Sequence, residues 1–447
     1  MTKDMTNGSP MKLILRFALP LSLGLLFQQI YSLVDTIIVG KTLGVDALAA
    51  VGSTGSINFL VIGSCTGICS GLAIPIAQRF GARDYSAMRK FIGNSVWMSV
   101  AFALILTVIT AAACRQILLI TQTPDNIIDM AYDYIVIIFL GIPATFLYNL
   151  CAGILRSIGD SRTPVIFLII AALLNIFLDL FLIIVCNMGV AGAAYATVAS
   201  QAISGFLCLI YMRIKFEILR MSREEWRPDG KCLGILLYMG VPMGLQYSIT
   251  AIGSVTLQAF VNTLGSDCVA SVAAAAKLSM FMVCPIDAVG TTMTTYGGQN
   301  VGAGKLERIG AGVKAANILS AIYAAFALVF LFFTSRLLLL LFVDASETQI
   351  ISDARTFLLI NASAYFLLGL LENFRFLIQG MGFSGFAIFA GVSEMIARIL
   401  VGVFLIPAFG FTAACFGSPV AWVFACAFLI PAYYHVKRRC GKMMGRE

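Results

Sequence analysis

Apolar residues run through this chain in long unbroken blocks, each closed by a short polar stretch, with neither the alternation of a strand nor the one-sided stripe of a soluble helix. A helix needs about 20 apolar residues, at 1.5 Å each, to cross the hydrocarbon core of a bilayer. That window predicts twelve spans, near 14–40, 50–78, 91–120, 130–156, 163–186, 190–213, 233–263, 271–299, 309–335, 352–379, 384–406 and 411–436. A β-barrel is excluded, because barrel strands alternate apolar and polar residues over about ten positions. The first block is too long for a signal peptide, and no A-x-A site follows it. The expected class is an all-α polytopic membrane protein.

Composition agrees. Of 447 residues, 60% are hydrophobic and 12% charged, against roughly 45–50% and about 25% in soluble domains. So few charges cannot make a polar shell, so lipid must serve as part of the solvent. The 40 Gly and 12 Pro are better tolerated inside membrane helices than in soluble ones. The net charge of +8 points to Lys and Arg in cytoplasmic loops rather than to nucleic acid. Most of the 30 basic residues lie at the two termini and in the loops after even-numbered spans. The opposite set holds only Lys41, Arg115, Lys277, Arg336 and Arg355, and Arg398 lies within span 11. Both termini are therefore expected in the cytoplasm of a multi-pass protein of the plasma (cytoplasmic) membrane. The twelve cysteines are scattered without CxxC pairing and read as small core residues, and the single histidine, His435, sits in a basic tail. No metal site, cofactor or nucleic-acid partner is expected, and the chain is expected to act as a monomer.

The chain also repeats itself. Shifted by about 221 residues, Thr42-Leu43-Gly44-Val45-Asp46 falls on Thr263-Leu264-Gly265-Ser266-Asp267, and Gln78-x-x-Gly81-Ala82 on Gln299-x-x-Gly302-Ala303. Gly159-Asp160-Ser161 meets Gly382-Phe383-Ser384, Gly189 meets Gly410, and Pro20 meets Pro242. Generic similarity of apolar helices does not explain matching loops. Each half holds six spans, so both enter from the cytoplasm, as parallel pseudo-repeats about an axis normal to the membrane. The expected organisation is an N-terminal six-helix lobe over 1–213, a cytoplasmic linker loop over 214–232, and a C-terminal six-helix lobe with a short basic tail over 233–447. Two such lobes are typical of transporters.

Five acids lie well inside predicted spans, away from their ends: Asp35, Asp179, Asp287, Glu372 and Glu394, with Arg398 as the embedded base. A charged side chain at mid-bilayer costs roughly 2.5–3.5 kcal/mol on insertion scales, so each is a functional candidate. Asn175 precedes Asp179 by four positions and shares its helix face. If Asp35 and Asp179 meet in a low-dielectric lobe they cannot easily both be ionised, so one holds a proton or the pair recruits Na⁺. The bland alternative is a static polar cluster that glues helices together. Glu394 and Arg398, at i and i+4, read as a structural pair. Asp287, just after Pro285, either faces a substrate path or is structural. The excess of embedded acids, five to one, predicts cationic or zwitterionic substrates.

The segments Pro20–Gly52, QRFGARD at 78–84 and QNVGAGK at 299–305 resemble multidrug and toxic compound extrusion (MATE) transporters, and the resemblance spans essentially the whole chain. It implies cation-coupled antiport, driven by H⁺ or Na⁺, that exports small organic, often lipophilic cationic, compounds through a V-shaped cleft between two six-helix bundles. It also implies that Asp35 with Asn175 and Asp179 form the N-lobe cation site, completed by Tyr134 and Thr197, and that helix 1 bends at Pro20. Proline removes one backbone hydrogen bond, which lowers the cost of bending. The chain departs from a sodium-linked branch of the family, because span 7 has no acid, only Gln246, Tyr247 and Gln258. These three, with Asp287 and Glu372, are candidates for the substrate cleft, as are the apolar residues Phe27, Tyr31, Phe59, Phe281 and Met282. A lipid-linked oligosaccharide flippase of the same broad superfamily is the alternative function. An intramembrane enzyme and an ATP-driven pump are not expected, since neither HExxH nor GxxxxGK[ST] occurs.

Overall fold

The computed structural model describes residues 4–445, and all regular structure among them is helical. The first repeat comprises α1 (Pro10–Leu43), α2 (Val45–Ser53), α3 (Gly55–Gly81), α4 (Tyr85–Ala112), α5 (Cys114–Ile120), α6 (Ile128–Leu140), α7 (Ile142–Ser157), α8 (Arg162–Leu180) and α9 (Gly189–Lys215). The second comprises α10 (Gly230–Asn262), α11 (Ser266–Gly302), α12 (Leu306–Leu339), α13 (Thr348–Ser363), α14 (Tyr365–Gly380), α15 (Gly385–Leu400), the short α16 (Ile406–Phe409) and α17 (Phe411–Cys415), and α18 (Gly417–Met443). Ten spans are long and apolar enough to cross a bilayer, and two bent pairs bring the number to twelve. Large apolar side chains such as Val108, Phe333 and Phe404 lie exposed along them, as a lipid-facing surface requires and a water-facing one does not.

The two bent pairs are repeat partners. The fourth span breaks between α6 and α7 by 46°, and the tenth between α13 and α14 by 49°. Pro143, in the first turn of α7, has no N–H to continue the ladder from α6. Gly141, at the break, lies hard against α9: a Cβ there would stand 2.3 Å from Val198 Cγ2. The matched loop glycines share backbone geometry as well as sequence. Gly44 and Gly265 have φ of 89° and 102°, and Gly189 and Gly410 both have φ of 59°, a region nearly closed to other residues. Each repeat also carries one π-helical turn, Phe181–Val185 after α8 and Val401–Leu405 after α15. Two copies of one six-span fold are therefore present.

The described chain packs as two compact units, one of Leu23–Leu245 with Asp4, the other of Met5–Ser22 with the chain from Gln246 onward. Their boundaries fall inside α1 and inside α10, and residues 214–232 lie within the first unit. That stretch is a strap. Glu225 receives both carboxylate bonds from Arg89 Nε at 2.9 and 3.0 Å, and Asp229 accepts from Lys90 Nζ at 2.6 Å. Asp229 also caps α10 by accepting from the amides of Lys231 and Cys232. These donors, Lys90 first, hold its carboxyl at about 2, below the ordinary carboxylate range.

Candidate functional site

Asp35 lies in the C-terminal half of α1, and α8 brings Asn175 and Asp179 against it within the first unit. Asp179 and Asn175 are 0% and 2% exposed. The carboxyl groups of Asp35 and Asp179 are within hydrogen-bonding reach of each other, an arrangement that needs a proton or a cation between two acids. Asn175 donates to Asp179 Oδ2 at 3.2 Å while its amide oxygen accepts from the Thr197 N–H at 3.3 Å. The Thr197 hydroxyl, on α9, stands 3.4 Å from the same amide. Tyr134 on α6 is buried and lies in the electrostatic field of both acids. Asp35 Oδ1 and Asp179 Oδ1 are buried without a hydrogen-bond partner, and among the described residues no Lys or Arg forms an ion pair with either acid. Two residues beyond Asp179 the helix widens into its π turn, a local irregularity often found beside functional groups.

All five sequence-derived members of this cluster, Asp35, Tyr134, Asn175, Asp179 and Thr197, are thus brought together. Tyr31, grouped from sequence with apolar cleft candidates, joins them: it sits one turn before Asp35 and feels both carboxyls. The i, i+4 spacing carried that signal. Pro20 lies inside α1, which runs unbroken to Leu43.

The second unit holds a different charged cluster. Glu394 pairs with Arg398 at 3.4 Å, as expected from spacing, but also hydrogen bonds Arg375, which in turn lies 3.7 Å from Glu372. From the sequence Arg398 is the embedded base, and the structure adds a second: α14 continues to Gly380, so Arg375 is 5% exposed inside a helix. The embedded acids therefore outnumber the embedded bases five to two, not five to one. The i, i+3 spacing from Glu372 was the available signal. Asp287 on α11 lies in the field of Glu372 and Arg375, and Tyr247 in that of Arg375. Gln246 accepts from Gln379 Nε2 at 2.6 Å. Gln258 stands apart, exposed on α10 and bonded to Asn262 at 2.9 Å.

Twelve lipid-facing spans in two repeats, with a buried carboxyl pair in one unit and an ion-pair network in the other, define a multi-pass membrane transporter. Comparison with known proteins sharpens this. The sequence model of the MatE family matches the chain twice, over residues 20–181 and 242–404. The probable multidrug resistance protein YoeA of Bacillus subtilis (strain 168) is 30% identical over 360 residues, covering 79% of this chain and 77% of that protein. The multidrug export protein MepA of Staphylococcus aureus (strain NCTC 8325 / PS 47) is 23% identical over 60% of each chain. The crystal structure of a MATE protein in complex with MaL6 superposes with a TM-score of 0.90 at 22% identity, over 100% of both chains. The chain belongs to the MATE family of multidrug efflux transporters.

Proposed function

We propose that this protein is a cation-coupled antiporter of the cytoplasmic membrane, which exports lipophilic organic cations by alternating access. Asp35 and Asp179 are its coupling pair. The observation that carries this reading is the pair itself: two carboxyls within reach of each other, in a lipid-embedded unit, each with an oxygen unpartnered and no base to neutralise them. Such a site takes up one cation readily and resists being empty. Asn175 can donate or accept as the charge of Asp179 changes.

In the cycle, H⁺ or Na⁺ reaches the pair from outside, and its arrival favours the state that releases substrate. Coupling requires that the ion bind the two access states unequally, and a bend of α1 at Pro20 supplies a bistable element for that. One charge moving across 100 mV supplies about 2.3 kcal/mol, close to a fifty-fold gradient, so one ion is sufficient drive. The cationic preference rests on the acid excess, since the second-unit cluster still carries three acids against two arginines. The likeness to YoeA, a probable multidrug resistance protein, and to MepA, a multidrug export protein, supports small organic substrates over lipid-linked sugars.

The experiment is efflux of a lipophilic cationic dye from proteoliposomes, with a proton gradient or a sodium gradient imposed separately. One of the two is expected to drive export. Export of an anionic lipid-linked sugar without dye export would favour the flippase instead.

A further inference from the structure

The duplicated Q-x-x-G-A motif has no part in the coupling pair, yet its second copy holds a buried object. Gln299 Oε1 accepts from the Met5 N–H at 2.8 Å, and Asn300 Nδ2 donates to the Met5 carbonyl at 3.2 Å. Lys305 Nζ donates to the Thr6 carbonyl at 2.9 Å and to Asn7 Oδ1 at 2.8 Å. Arg308 donates to the Gly8 carbonyl at 2.8 Å while its Nε braces Asn300 at 3.0 Å. The segment Met5–Gly8 is thereby sunk into the end of α11 and the start of α12, with Met5 1% exposed. With the Met5 N–H and the Met5, Thr6 and Gly8 carbonyls all bonded, this segment has a specific seat.

The repeat gives this seat a counterpart. Moved by the repeat shift, Met5–Gly8 falls on Trp226–Asp229, the strand that leads into α10 as Met5–Gly8 leads into α1. It too is held, by different side chains, all on α4. Asn94 accepts from the Asp229 N–H at 2.8 Å, Lys90 bonds the Asp229 carboxylate, and Trp97 donates to the Trp226 carbonyl at 2.9 Å. A Cβ at Gly93 would stand 2.6 Å from the Glu225 carbonyl, so the fit leaves no slack. In each case the strand is seated on the unit built mainly from the other repeat, and the helix it begins changes unit a few residues past its proline: after Ser22 for Pro20 and after Leu245 for Pro242.

We propose that these two seats are permanent anchors of α1 and α10, and that Asn300, Lys305 and Arg308, with Lys90 and Asn94, are positioning residues for transport. They fix the entry strand of each helix, so that a change of direction at Pro20 or Pro242 moves the helix beyond the proline and not the strand before it. Different side chains serve in the two repeats, because most of the bonds go to the backbone of the segment, with one side chain of each also held, Asn7 by Lys305 and Asp229 by Lys90. The inference rests on the transport reading but not on the choice of coupling residue.

The test is substrate counterflow in proteoliposomes with no ion gradient, which requires alternating access but no coupling ion; an error about Asp35 leaves it unaffected. Arg308→Ala removes the charge-assisted bonds to the Gly8 carbonyl and Asn300 and so loosens the seat, and is expected to lower the hydrogen-exchange protection of the Met5 amide, bonded to Gln299, about tenfold or more. It should slow counterflow several-fold with dye affinity unchanged, and Arg308→Lys should recover part of the loss. Lys305→Met, which removes the bonds to Thr6 and Asn7, is the milder second variant. Bridging an Asn7→Cys/Lys305→Cys pair with a short bifunctional thiosulfonate should leave counterflow unchanged and restore it in the Arg308→Ala background. Counterflow arrested by the bridge and recovered with reductant would show that the seat must open, overturning the proposal. So would full counterflow in both Arg308→Ala and Lys305→Met.

Discussion

At the scale of single residues, the two buried charge clusters differ in whether a base accompanies the acids. The first-unit pair lacks a base, so its charge state must change with the ion it takes. Asp35→Asn keeps size and hydrogen bonding but cannot titrate, and is expected to abolish gradient-driven export while leaving dye binding measurable by fluorescence titration. Asp179→Asn should match it and Asn175→Ala should be milder. The double variant Asp35→Asn/Asp179→Asn should be no worse than either single change, since the two act as one unit. The second-unit network carries its own bases: Arg375 and Arg398 both meet Glu394. Arg375→Gln strands buried carboxylates and should destabilise by about 3–5 kcal/mol, read as a fall in thermal midpoint in detergent. Arg375→Gln/Glu394→Gln should be the more stable of the two variants. The acids were legible in the sequence because an ionisable group in an apolar run stands out. Arg375, inside the predicted span 352–379 and three residues past Glu372, carried a spacing signal that its nearness to a glycine-rich turn obscured. Tyr31, four residues before Asp35, carried one too, but passes for an apolar residue until its hydroxyl is placed beside two carboxyls.

At the scale of elements, hydropathy located all twelve spans, because crossing hydrocarbon demands length and continuity and both are written locally. It did not show the breaks at Gly141 and Ala364 or the π turns, which depend on how neighbouring helices pack. It also read 214–232 as a plain loop, whereas Arg89, Lys90 and Asn94 fasten this stretch along α4. That strap carries a pH prediction. The Asp229 carboxyl is held at about 2, below its unfolded value near 3.9. Its contribution is therefore complete above the unfolded value and lost as pH falls through the folded one. Hydrogen exchange of residues 225–232 should stay slow from neutrality to about pH 4 and quicken towards pH 2. Lys90→Met should move that onset to higher pH, and an unmoved onset would mean that Lys90 does not hold the carboxyl.

At the scale of the whole molecule, the sequence repeat and the structural repeat agree down to backbone dihedrals at Gly44/Gly265 and Gly189/Gly410. What the sequence could not carry was the crossed seating of the two entry strands, since contacts between Met5 and Gln299 span nearly the whole chain. The bias of Lys and Arg predicts that the 214–232 stretch faces the cytoplasm. A cysteine placed at Arg223 should be labelled by an impermeant maleimide only after permeabilisation, and labelling in intact cells would reverse the topology. The central claim, that the Asp35–Asp179 pair couples an ion gradient to export, has one direct measurement. Wild type and Asp35→Asn are reconstituted, and cationic dye efflux is followed under an imposed proton gradient and, separately, an imposed sodium gradient. The account predicts that one gradient drives wild-type export and that Asp35→Asn responds to neither. Export by Asp35→Asn at the wild-type rate, with the same dependence on pH and sodium, would contradict it.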